Sequence, residues 1–221
     1  MAIVLEDLKV TYSGANGSRT TVLDIPRFQV DEGSQICLRG GSGQGKTTLL
    51  NVIAGITMPT SGRVLHGSID IAALKEARRD RFRAENIGYV FQTFNLLQGL
   101  SALENVLIAA AFAGHHGKPA RERGEQLLER MGLTHRSHAR PGELSVGEQQ
   151  RVSIARAVVN RPEVVLADEP TANLDEDNSD EVLELLKEVT SEVGSILILV
   201  THESRVQAHF EQVVRLAEIS R

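Results

Sequence analysis

The chain has 221 residues, 41% of them hydrophobic and only 4% aromatic, so Leu, Val, Ile and Ala must build a core of one-domain size. Its 24 basic against 29 acidic residues give a net charge of −5, which argues against a chain that coats nucleic acid or an anionic membrane. The single Cys37 excludes an internal disulfide framework and a cysteine-based zinc site. The longest apolar run, Val106 to Gly114, is less than half of the ~20 residues a spanning helix needs. The opening Met-Ala-Ile-Val-Leu-Glu-Asp is acidic too early for a secretory signal. The expectation is a soluble protein of a reducing compartment.

Residues 2–10 and 21–30 read as strands, with alternation typical of a half-exposed antiparallel layer, and 13–18 as the turn between them. The short apolar run Gln35–Leu38 leads straight into a glycine cluster, and 46–54 has helical spacing. A small hairpin over 63–71, with Gly67 near its turn, and a charged helix over 74–85 come next, then a strand over 87–91. Residues 101–140 read as helical. Ser101 and Glu104 have capping-box spacing, and Pro119 and Gly132 bracket a second helix. The α/β alternation then resumes: helix 147–159, strand 164–167, helix 176–193, strand 196–200, a short helix, and a last strand 213–216. The expected fold class is α/β, a parallel-sheet core with an N-terminal antiparallel β layer and an inserted α-helical subdomain. The boundaries are 1–94 plus 159–221 for the core and 95–158 for the insert.

Gly40-Gly-Ser-Gly-Gln-Gly-Lys-Thr fits G-x-x-x-x-G-K-[ST] at every fixed position and sits between a strand and a helix, as that motif must. Glycines let the backbone wrap a phosphate chain, and the helix N-terminus adds positive potential. Gly40, Gly41, Ser42, Gly43, Gln44, Gly45, Lys46, Thr47 and Thr48 are therefore the candidate nucleotide-binding residues. Lys46 supplies a charge to the β- and γ-phosphates, and Thr47 a hydroxyl to Mg²⁺. Val164-Val-Leu-Ala-Asp-Glu is an apolar strand ending in two carboxylates. Asp168 is placed to serve the metal, and Glu169 to orient and polarise the attacking water. Leu144-Ser-Val-Gly-Glu-Gln-Gln-Arg opens a helix. Ser145 and Glu148 form a capping box there, and Ser145 with the Gly147 amide suits a γ-phosphate; the two readings are compatible.

That octapeptide resembles the signature motif of ABC-type ATPases, whose other motifs occur here in the same order over essentially the whole chain. The resemblance implies a P-loop NTPase core. It makes Tyr12 the aromatic that stacks on adenine and Gln92 the glutamine that touches Mg²⁺ and water. It makes His202 the histidine that contacts the γ-phosphate, and places Asp175 in a loop crossing the dimer interface, although Asp175 equally caps the helix starting at Glu176. It also implies ATP hydrolysis with Mg²⁺ by a head-to-tail homodimer that closes on ATP. Lys46, Thr47, Gln92, Asp168, Glu169 and His202 of one chain would face Ser145 and Gly147 of the other. One departure is Val146, where the family usually has Gly. At a helix start it is expected to have ordinary backbone angles. A smaller departure is Ala172.

The segments Tyr-Val-Phe-Gln-Thr-Phe-Asn-Leu-Leu, Ala-Leu-Glu-Asn-Val and Leu-Ala-Asp-Glu-Pro-Thr-Ala-Asn-Leu-Asp are most similar to the lipoprotein-release and macrolide-export group (LolD/MacB-like). This similarity implies an integral membrane permease as partner, with a periplasmic adaptor reached through it, and a peripheral place on the cytoplasmic face of the inner membrane. Phe94, Leu96, Leu97 and Leu100 are the apolar candidates for a groove that receives the permease, or else they belong to the insert core. The alternative is a non-transport ABC ATPase of the cell-division or iron–sulfur assembly type. Arg78, Arg79, Arg81 and Arg83 alternate with acids and read as a solvated helix. His115-His116 and His135-x-x-His138 lack partners at metal spacing.

Overall fold

The computed structural model describes residues 1–14, 18–41 and 43–221. In chain order the elements are β1 (Ile3–Ser13), β2 (Arg19–Val30), β3 (Gln35–Arg39), α1 (Lys46–Ile53), β4 (Ser61–His66), β5 (Ile69–Asp70), α2 (Glu76–Asn86) and β6 (Ile87–Val90). Then follow α3 (Ala102–Phe112), α4 (Gly117–Arg130), α5 (Val146–Val158), β7 (Val164–Asp168), α6 (Glu176–Val193), β8 (Ile196–Thr201), α7 (Ser204–Gln207), β9 (Gln212–Arg215) and α8 (Leu216–Ile219). No helix among the described residues is long and apolar enough to cross a membrane.

The strands form two sheets. The antiparallel one has the order β2-β1-β4-β5, and the parallel one β6-β7-β8-β3-β9. In the first, Ile3, Leu5, Leu8 and Val10 lie opposite Val30, Phe28, Ile25 and Leu23, so the apolar faces of both strands stay in register. The burial alternation changes phase between Leu5 and Leu8, where Asp7 turns left-handed (φ 47°) opposite Pro26, which has no N–H to offer the ladder, and the β1–β2 register itself shifts between Val10 and Thr11.

The inner parallel strands β3, β7 and β8 read as nearly continuous apolar runs because both their faces are covered, whereas the edge strand β9 is largely exposed. Alternate residues go to different cores. Ile36, Leu38, Val164, Leu166, Ile196, Ile198 and Val200 pack with α1 and the antiparallel sheet. Cys37, Val165, Ala167, Leu197 and Leu199 pack with α3, α4, α5 and α6. The helical segment thus completes the second core and is not an appendage. Gly88 on β6 permits a close approach of α5, since a Cβ there would lie 2.3 Å from the Ala157 carbonyl oxygen.

The expected helices and strands are present, with shifted ends; residues 15–17 of the expected 13–18 turn lie outside the described residues. Leu216 does not end the last strand. It starts α8, which its burial anchors, and the Ser220 hydroxyl accepts from Asp24 N at 3.0 Å to tie the C-terminus to β2. The expected capping boxes form at both sites: Ser101 N donates to Glu104 Oε2 at 2.8 Å and Ser145 N to Glu148 Oε2 at 2.7 Å, each with its reciprocal bond.

Candidate active site

The parallel strands β6, β7, β8 and β3 are neighbours, so their C-terminal ends share one edge of the sheet. Gln92, Asp168–Glu169, His202 and the 40–47 loop all follow directly from those ends. Open parallel sheets bind ligands at this edge. The loop turns into α1 at Gly45, whose φ of 93° and neighbours forbid a side chain: a Cβ would lie 2.8 Å from Val22 Cγ1. The first turn of α1 has neither a side-chain cap nor an acid, which leaves its N-terminal amides and positive potential available to an anion. Gln44 closes the loop on itself, its Oε1 accepting from Gly41 N at 2.7 Å. Gly43 is exposed and left-handed (φ 76°), and Thr48 is half-buried in α1. Ser42 lies outside the described residues.

Lys46 is buried. Its ammonium donates to the carbonyls of Gly40 (2.8 Å) and Gly41 (3.2 Å) and stands 3.7 Å from Glu169 Oε1. Asp168 is buried at the end of β7. Burial and the neighbouring Glu169 push its carboxyl above the usual range, while the Thr47 hydroxyl and Lys46 draw it down. A hydroxyl beside a carboxylate at the mouth of an anion loop fits Mg²⁺, which takes one or two protein oxygens and completes its shell with phosphate and water. It does not fit a metal caged by protein alone. Among the described residues no group of three His, Cys, Asp or Glu side chains could hold one.

Glu169 continues the ladder through its N–H to Val200 O (3.0 Å), then leaves the strand with φ 45°. A non-glycine residue in that region is held by its surroundings at a cost of about 1–2 kcal/mol. Its carboxylate is pinned from a second side as well: His202 Nδ1 lies 2.9 Å from Oε1, and His202 N donates to Oε2 at 3.4 Å. Glu169 therefore sits between the lysine and the histidine, 10% exposed, whereas His202 is 65% exposed.

The remaining candidates are distributed. Gln92 is exposed, and its carbonyl accepts from Asn173 Nδ2 at 2.8 Å. Tyr12 is exposed near the end of β1, paired with Thr20. Val22 packs at the Gly45 position, so this end of the hairpin borders the loop. Ser145, Gly147 and Glu148 are held elsewhere. Glu148 pairs with Arg136 (3.1 Å), and a Cβ on Gly147 would meet Asn178 Oδ1 at 3.5 Å. None of their described partners belongs to the 40–48 loop. Asp175 caps α6 by accepting from Asn178 N at 3.0 Å. Val146 is the first residue of α5, 44% exposed, with no positive φ.

A groove of about 890 Å³ opens between α2, β6, α3 and α5, lined by Arg83, Tyr89, Leu97, Phe112, Arg156 and Asn160 among others. Of the four apolar groove candidates only Leu97 lines it. Leu96 is buried in the helical core, and Phe94 packs against that core. Sequence reading passed over three side chains that pin the 92–101 loop: Asn105, Arg156 and Asn173. One signal was available, since Arg156 is the only charge in the run Val152–Val159.

Residues 23–172 match the ABC transporter family model. The chain is 41% identical over 218 residues to the lipoprotein-releasing system ATP-binding protein LolD of Syntrophotalea carbinolica, covering 98% of this chain and 96% of that one. It is 43% identical to the LolD of Geobacter metallireducens, covering 99% and 97%. Among solved structures it superposes on a dimeric bacterial ABC transporter cassette, MJ0796, with a TM-score of 0.89 at 34% identity, covering 99% of this chain and 97% of that one. A post-hydrolysis dimer of MJ0796 bound to ADP and Pi gives 0.88 at 33%, covering 96% and 93%. The chain belongs to the ABC transporter family, as an ATP-binding and ATP-hydrolysing cassette.

Proposed function

We propose that this chain powers a transporter of the lipoprotein-releasing type, as a homodimer docked from the cytoplasmic side on an integral membrane permease. The observation that carries the proposal is the shared sheet edge. Lys46, Thr47, Asp168, Glu169 and His202 follow that edge, whereas Ser145 and Gly147 lie on the helical layer with no described partner in the loop, and this supports the reading. A complete site then needs the helical layer of a second copy. The full-length similarity to LolD proteins supports the transporter class and, through it, a periplasmic adaptor reached by the permease. Residues 95–158 act as the helical subdomain and 1–94 with 159–221 as the core. The groove beside Leu97 and Phe112 receives the permease.

In this reading Lys46 and the α1 amides bind the phosphates, and Tyr12 covers the adenine. Thr47, Asp168 and Gln92 would hold Mg²⁺, which when bound offsets charge on the β- and γ-phosphate oxygens. The Glu169 carboxylate is engaged by Lys46 and His202. An arriving triphosphate competes with Glu169 for both partners. Glu169 is then released to accept a proton from the attacking water, and His202 turns to the γ-phosphate. Ser145 and the Gly147 amide of the second copy complete the anion site, so closure and hydrolysis are linked.

The test is co-purification from detergent-solubilised membranes of the source cells, followed by ATP turnover of the isolated complex. Recovery with an integral membrane protein is expected. Recovery with soluble assembly factors alone would replace the transport role with the iron–sulfur assembly alternative.

A further inference from the structure

The loop after β6 contains two consecutive left-handed residues, neither of them glycine: Phe94 (φ 56°) and Asn95 (φ 50°). Asn tolerates this region, whereas a bulky Phe does not. The bonds inside the loop are those of a tight turn. Phe94 N donates to Phe91 O at 3.2 Å, Asn95 N to Thr93 O at 2.5 Å, and Thr93 Oγ1 to Asn95 Oδ1 at 3.0 Å. The hold from outside comes from Arg156 on α5. Its Nη1 donates to Asn95 O at 2.6 Å and its Nη2 to Phe94 O at 2.5 Å.

Arg156 has no carboxylate at ion-pair distance among the described residues. Burial alone holds its guanidinium below the usual range. A desolvated cation bound to two adjacent backbone oxygens serves geometry, and a planar fork matches two such oxygens where an ammonium cannot. The flanks of the loop are pinned from other elements. Asn173 holds the Gln92 carbonyl, and buried Asn105 accepts from Leu97 N at 2.8 Å and donates to the carbonyls of Leu97, Leu100 and Ser101. Asn95, Leu97 and Arg156 also line the groove.

We infer that Arg156 is a positioning residue for ATP hydrolysis, its fork holding Phe94 and Asn95 left-handed and so fixing where the preceding Gln92 stands. The same fork ties that loop to α5, the helix that Ser145 caps. Displacement of the groove wall at Asn95 therefore reaches both Gln92 and the signature end of α5 through one side chain. This inference rests on the proposed role of Gln92 in the site.

The test uses the full chain with Arg156→Lys, which keeps the charge and removes the fork. Steady-state turnover with Mg²⁺ and ATP should show kcat lower by about fivefold or more, with KM for ATP within about twofold. Amide exchange over 93–97 should quicken about tenfold, with global protection unchanged. Phe94→Gly added to Arg156→Lys should recover much of the lost kcat, because glycine adopts unaided the left-handed conformation that the bulky Phe does not. Parental kcat and unchanged exchange in Arg156→Lys overturn the inference, as does loss of kcat without any rescue. If Arg156→Lys does not fold, Asn95→Val at the exposed position decides: the same kcat loss at unchanged KM supports the clamp, and parental kcat overturns it. A parent chain whose turnover survives Gln92→Ala would instead fail the reading beneath it.

Discussion

Replacing Glu169 with Gln tests catalysis and binding together. The carboxylate lies 3.7 Å from Lys46 Nζ, and both side chains are 10% exposed. At an effective dielectric of about 20, unit charges at that distance attract by about 4 kcal/mol. Desolvation offsets most of this, leaving roughly 1 kcal/mol that ATP must overcome to engage the lysine. Gln at 169 keeps the shape and removes the charge, so the cost falls on the ATP-free state alone. The expected Kd for ATP falls about fivefold. Loss of the proton acceptor lowers kcat by about 10²–10⁴. Equilibrium titration with ATP reads the first effect, phosphate release the second, and size-exclusion in ATP the accumulation of a closed dimer. Weaker or unchanged ATP binding would refute the competition between Glu169 and phosphate for Lys46. Normal turnover would remove Glu169 from the chemistry.

Three further outcomes are expected. His66 is fully buried, its Nε2 2.9 Å from Ile53 O, and burial lowers its pKa to about 4 against 6.5 unfolded. Its contribution to stability is therefore complete above pH 6.5 and declines as pH falls towards 4, by about 3 kcal/mol in all. Urea midpoints between pH 7 and 5 should show this decline, and His66→Gln should flatten it; an equal slope in both proteins would discard the assignment. Val146→Gly should change ATPase rate by less than about threefold, because Val146 already has helical angles and no strain to release. Restoration from near-zero activity would show a degenerate signature. Gly45→Ala should weaken ATP binding at least about tenfold, since it forces a Cβ against Val22 at a φ that costs an L residue about 1–2 kcal/mol; parental affinity would show that the loop relaxes freely.

The parts of the fold legible beforehand are those where one periodicity dominates. β7 and β8 are apolar without interruption because both faces are buried, and the two capping boxes are four-residue patterns with a local cause. The loop at 40–47 was legible for the same reason: Gly45 is demanded by a left-handed φ within the motif itself. What remained hidden depends on long-range approach. Leu96 and Leu97 are adjacent and equally apolar, yet one fills the helical core and the other faces the groove, which only the placement of α3 and α5 decides. The left-handed angles at Phe94, Asn95 and Glu169 carry no compositional mark, since none is glycine. Leu216 continues the strand pattern of Val213 and Val214, and it starts a helix because the chain turns there to meet β2.

The polar groups of the site are largely satisfied within the chain. Lys46 holds the loop carbonyls and faces Glu169; Glu169 is taken by His202; Ser145 and Glu148 cap each other; Asp175 is engaged by Asn178. A site arranged this way gains little from a second copy until something displaces the internal partners. In the proposed reading a triphosphate would do so at Lys46 and His202, and it would add negative charge beyond what one loop neutralises. In the proposed dimer the helix N-terminus at Ser145 would then supply, from the other chain, the positive potential still required. Closure of the proposed dimer would then depend on ATP through this self-satisfied network, and hydrolysis, by removing the γ-phosphate, would return each group to its own chain.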